Sequence, residues 1–214
     1  MVQAWLALSL ASWLTIPSLP IANSFQEISQ SVLIRQVPDV EQIEDYTCGP
    51  ASLLAVLSTY GIDVTEQELE KAADTDPEVG ANITALARVA RSFGFKARYE
   101  SNWTLRKLER ELLRGHPVII LGQAWREGAD VKRPWREVWD AGHYMVVIGI
   151  DENHVYLEDP WIKGSRGSMT HQEFVDRWRG WSDQNEKRWA QVVVIDGEID
   201  EHTPAVDLPW AKIK

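Results

Sequence analysis

The chain has a single cysteine, Cys48, in 214 residues. No internal disulfide can form, so stability has to come from a buried core, and cysteine usage says nothing about redox compartment. Basic residues are few, 22 against 32 acidic ones for a net charge of −10, and no basic run is long enough to follow a phosphate backbone. That excludes nucleic acid as the expected partner, and an anionic membrane surface would repel the folded chain. Charge of either sign is missing from Met1 to Gln26. The five histidines show no metal-ligand spacing and no His-Glu-x-x-His pattern, so neither a metal nor another cofactor is expected.

The apolar stretch Ala4–Ile16 is followed by Pro17 and Pro20. It falls short of the roughly 20 residues a spanning helix needs and has the length of a signal-peptide core. Residues 1–24 therefore read as a signal peptide or a membrane-associated segment, which predicts an exported or membrane-associated protein. With 44% hydrophobic residues, the remainder can bury one core. It divides into a single domain over 25–196 and an acidic extension over 197–214, carrying Pro204 and Pro209, that is expected to pack loosely.

Within the domain, the first half is helical in pattern. Gly49–Tyr60 has Pro50 near its start, leucines at helical spacing and Gly61 as a stop. Thr65 with Glu68 marks a capping box for a helix to Ala73, and helices follow over Thr84–Phe93 and Thr104–Arg114. Phe95–Glu100 reads as a strand. The second half supplies β-branched or aromatic runs at Pro117–Leu121, His143–Ile150, His154–Glu158 and Arg188–Ile195, with a turn over residues 151–153. A helix opens at Thr170. Helices first and an antiparallel sheet second predict an α+β domain. The stretch 122–142 reads as a flap. Asn82 and Asn102 match the glycosylation pattern, but Thr84 and Thr104 are better explained as helix starts.

The chemistry centres on Cys48. A lone cysteine is usually a small buried hydrophobe. Here, though, Glu44-Asp45-Tyr46-Thr47 precede it and a helix starts after it, where unpaired backbone N–H groups and the helix dipole favour a negative sulfur. A thiol nucleophile also needs a base, a group to orient the base and a donor for the oxyanion. His143 opens a strand, and Asp159 lies sixteen residues on, at the end of the next strand and before Pro160. A tight turn between the two strands brings His143 and Asp159 together at the open end. Gln42, six residues before the thiol, can turn its side-chain N–H back toward it. Gly49, Gly142, Tyr144, Trp139 and Trp161 are the candidate walls of a substrate groove.

The runs Gln42-Ile-Glu-Asp-Tyr-Thr-Cys48-Gly-Pro-Ala-Ser-Leu, His143-Tyr-Met-Val-Val-Ile-Gly and Glu158-Asp159-Pro160 resemble the bacteriocin-processing cysteine peptidases of family C39, a papain-like group with many free-standing relatives. The resemblance covers about Val37 to Ile195. It implies a papain-like fold, with Cys48 as nucleophile, His143 as general base and acid, Asp159 as orienter and Gln42 in the oxyanion hole. It further implies a peptide substrate, cut after small residues or at a leader, and no cofactor. No transporter segment follows the domain, so cleavage and export are not expected to share one chain. The tryptophan-rich stretch from Trp125 to Trp139 looks like an insertion relative to the exporter domains. Two other readings of the same residues stay open: a non-catalytic peptide-binding module, and a thiol amidase or acyltransferase acting on cell-wall peptides.

Overall fold

A computed structural model describes residues 28–214. The signal-peptide or membrane-anchor reading of residues 1–24, and the location drawn from it, lie outside the described residues. Among those described, no helix is long and apolar enough to cross a membrane.

The chain enters through a short strand, β1 (Val32–Leu33), and an irregular arm that leads to α1 (Cys48–Thr59). Three helices follow, α2 (Glu66–Ala73), α3 (Ile83–Ser92) and α4 (Leu105–Leu112), with β2 (Lys96–Glu100) between the last two. Then come β3 (Val118–Gln123), β4 (Gly142–Ile150), β5 (His154–Glu158) and β6 (Arg166–Thr170), α5 (His171–Arg177), β7 (Arg179–Trp181), β8 (Lys187–Trp189), β9 (Gln191–Asp196) and β10 (Trp210–Lys212). The large sheet runs β10-β6-β5-β4-β3-β9-β2, with β1 also paired to β4. All its pairs are antiparallel except β10 on β6. Helices in the first half and a mostly antiparallel sheet in the second make an α+β fold, as the order of patterns predicts.

The helices start where their sequences direct. Thr65 and Glu68 form the full capping box, Thr104 accepts from the Lys107 N–H, and Thr170 accepts from the Glu173 N–H. The third helix starts one residue earlier than expected, at Ile83 after Asn82 as N-cap, and the Thr84 hydroxyl donates to Asp183. α1 is buried over nearly its whole circumference, as a helix packed between the sheet on one side and α2 and α3 on the other must be. The turn after β4 is closed by Asp151, whose Oδ1 accepts from the N–H groups of Asn153 and His154 at 2.7 Å each.

Three expectations change. The run Arg188–Ile195 is two strands, not one, because Ala190 takes a left-handed φ of 47° that breaks the strand and sends β8 to pair with β7. Residues 122 and 123, expected in a flap, complete the fully buried β3, and two 3-10 turns, Gly128–Lys132 and Trp135–Glu137, fill the rest of that stretch. The tail does not pack loosely. Asp200 bonds back to Thr59, Val206 to Arg35, and β10 adds to the sheet edge. Ile213 is fully buried on Gly167, where any Cβ would collide with it.

Candidate active site

Cys48 is the first residue of α1 and is 8% exposed. Thr47 makes no side-chain cap bond, and Pro50 has no N–H, so no capping side chain takes the first-turn amides of Cys48 and Gly49. Gly49 packs tightly here: a Cβ on it would lie 3.0 Å from the Ala81 Cβ and 3.2 Å from the Tyr144 ring. Tyr144, expected along an open groove, is 5% exposed and donates its hydroxyl to the Ala81 carbonyl at 2.9 Å. It forms the floor beneath Gly49, and burial, then the nearby Cys48 charge, pushes its phenol pKa upward.

His143 follows Gly142 at the exposed start of β4 and is paired with Gly122 of β3. Gln123 pins the entry to that strand: its amide accepts from the Ala141 N–H at 2.9 Å and donates to the Arg179 carbonyl at 3.1 Å. The β4–β5 register, Val146 opposite Glu158, then carries Asp159 to the imidazole. Nε2 of His143 donates to Oδ1 of Asp159 at 2.6 Å, and Cys48 lies close enough to the ring to help raise its pKa. With Nε2 taken by the carboxylate, Nδ1 is the nitrogen left for the sulfur. Burial alone would lower the His143 pKa. The Asp159 charge and hydrogen bond, with those of Cys48, outweigh it and raise the pKa to about 10, so the ring carries its proton at neutral pH. Three of the four residues read as a thiol site therefore share one buried cluster.

Gln42 sits in the arm beside them. Its N–H donates to the Pro160 carbonyl at 3.0 Å, which ties it to the residue after Asp159. The side-chain Nε2 donates one hydrogen to the Glu44 carbonyl at 2.8 Å and keeps the second. The arm is held by distant side chains. Glu158 accepts from the Val40 N–H at 2.9 Å and is ion-paired to buried Arg166, which also holds the Val37 carbonyl. Glu66 accepts from the Ile43 N–H at 3.0 Å, and Asp39 from the Gly164 N–H at 2.9 Å.

Of the two tryptophans read as groove walls, Trp161 flanks Asp159, with its N–H on Oδ1 at 2.9 Å and its ring 45% exposed. Trp139 packs edge-on against Trp189 and Trp181 instead, with Arg179 and Lys187 over its ring. Trp125 takes the place at the site that was expected for Trp139: its indole N–H donates to Oδ2 of Asp159 at 3.0 Å, and its ring lies 6.4 Å from that of Trp161. Nothing in its spacing signals this, since it depends on where the chain turns after β3.

Elsewhere, Glu111, His116 and Asp196 bring ligand atoms within 4.8 Å of one another. Arg98 already bonds both carboxylates, at 2.9 and 2.8 Å, and Arg114 bonds Glu111 at 3.0 Å, so the positive charge a cation would supply is in place.

Residues 34–186 match the model of the Peptidase_C39 like family. The chain belongs to that family. Among solved structures, it superposes on a chain described as a C39-like peptidase from Bacillus anthracis with a TM-score of 0.61 at 19% identity, covering 80% of this chain and all of that one. A double glycine motif protease from an AMS/PCAT transporter, solved in complex with the leader peptide, gives a TM-score of 0.52 at 19% identity over 80% of this chain and 98% of the other. These likenesses establish the papain-like C39 peptidase fold. Among curated proteins, the "Probable functional amyloid protease FapD" of Pseudomonas aeruginosa is 26% identical over 178 residues, 79% of this chain and 70% of that protein. Family and fold together identify a peptidase.

Proposed function

We propose that this chain is a cysteine peptidase in which Cys48, His143 and Asp159 act as a triad, with Gln42 and the Cys48 amide as the oxyanion hole. The observation that carries the reading is the buried His143 ring bonded to Oδ1 of Asp159 with Cys48 near enough to raise its pKa. A charged imidazole beside a thiol favours the thiolate, which attacks the substrate carbonyl. The carbonyl oxygen becomes negative and meets the Cys48 N–H and the free hydrogen of Gln42 Nε2. The imidazolium passes its proton to the departing amine, leaving an acyl-enzyme. The now neutral ring takes a proton from water, which cleaves the thioester and restores the starting state. Asp159 holds the ring with Nε2 turned away from the sulfur throughout.

The floor made by Gly49, Ala81 and Tyr144 leaves little depth beneath the thiol, which favours small residues next to the cut bond. A peptide substrate of leader type, and an exported or membrane-associated location read from residues 4–16, belong to the same proposal. The test is digestion of a peptide library followed by mass spectrometry. The wild type is expected to cut after small residues and Cys48→Ala to cut nothing. A wild type that leaves every peptide whole, or a Cys48→Ala variant that still cuts, contradicts the reading.

A further inference from the structure

Asp159 is 1% exposed, and its two oxygens are used unequally. Oδ1 takes the His143 ring at 2.6 Å and the Trp161 N–H at 2.9 Å. Oδ2 takes the Trp125 indole at 3.0 Å, its one donor among the described residues. A buried carboxylate oxygen without a donor is costly, so the group would turn to find one and draw Oδ1 off the ring. An indole suits this position in a way that a cation would not. It satisfies Oδ2 while adding no charge, and the full attraction of the carboxylate stays on the imidazole.

Trp125 is also held in an unfavourable backbone conformation. Its φ is 55°, in the left-handed region that bulky residues avoid. Its own N–H donates to the Lys214 carbonyl at 2.5 Å, next to Ile213, which is buried on Gly167. The strained residue is thus pinned from the sheet edge.

We propose that Trp125 is a positioning residue for Asp159, and that the Ile213–Lys214 segment holds it in the strained conformation that aims the indole at Oδ2. The proposal rests on the reading of Asp159 as the orienter of His143. It makes the tail part of the active-site construction, although that tail lies far from Cys48 in sequence.

The test is the rate of Cys48 alkylation by iodoacetamide as a function of pH, which reports thiolate without needing the natural substrate. Trp125→Phe keeps the ring and loses the donor. Its profile is expected to move up by about one pH unit, slowing alkylation about tenfold on the acid limb of the profile. Gly167→Ala, which unseats Ile213 without touching the indole, is expected to move it the same way by less and keeps the proposal testable if Trp125→Phe does not fold. Trp103→Phe removes a comparable indole bond, to Glu100 at 2.8 Å, away from the site and is expected to leave the profile unchanged. Superposable profiles for wild type, Trp125→Phe and Gly167→Ala overturn the proposal. A wild type that reacts only like a free thiol, with a pKa of about 8.5, overturns the triad reading and this proposal with it.

Discussion

The strands that carry His143 and lead to Asp159 are held by backbone ladders, whereas the arm from Val37 to Cys48 is held by side chains reaching its backbone from far along the chain. β4 has β3 on one side and β5 on the other, so the position of His143 follows from register, and any side chain of the right size and polarity would maintain it. The arm has no ladder. Val40 and Ile43 each give their N–H to a single carboxylate, from Glu158 and Glu66, the arm's own Asp39 takes the N–H of Gly164, and a lone backbone bond runs from Gln42 to Pro160. One site is therefore assembled from a part that is robust to substitution and a part in which single residues matter.

The comparison can be broken in order of effect. Removing the sulfur is the largest change: Cys48→Ala is expected to lower kcat by roughly 10⁵-fold or more with the fold intact, read by peptide cleavage alongside circular dichroism. Glu158→Ala leaves the buried Arg166 without its ion-pair partner and unties Val40. It should cost about 3–5 kcal/mol in urea unfolding and lower activity through the arm, and a loss under 1 kcal/mol would refute the clamp. Gln42→Ala removes the proposed oxyanion donor while leaving backbone bonds in place. It should lower kcat by about 10²–10³-fold with KM nearly unchanged, and a change confined to KM would assign Gln42 to binding instead. Ile119→Val, in the buried core of β3, trims the ladder side and should cost only about 1 kcal/mol, with activity retained.

The same contrast decides what could be read in the sequence. Helices with a cap and a stop, such as Thr65 to Ala73, and strands with β-branched runs, such as His143–Ile150, carry their own signals, and local rules suffice for them. The pairing of His143 with Asp159 was legible because two strands and a tight turn leave little freedom. β6 was not, since Arg166-Gly-Ser-Met-Thr has no β-branched run and becomes a strand only through its neighbours. β7 and β10 are three residues each. The clamps on the arm, the indole on Asp159 and the packing of Ile213 on Gly167 depend on contacts across 23 or more positions, which no spacing rule reaches. Trp139 and Tyr144 show the same limit from the other side. Both are close to His143 in sequence, yet one packs into a separate tryptophan cluster and the other forms a floor.

The proposed chemistry needs a charged His143 beside Cys48 and Asp159, and a ¹⁵N NMR titration of the imidazole reads that charge. A histidine whose pKa is raised on folding adds stability fully below its unfolded value, near 6.5, and loses it as the pH rises through the folded value. The His143 ring is expected to keep both protons until the pH approaches about 10, and stability to fall over that same interval. A ring that titrates near 6.5, as a free histidine does, would contradict the paired site.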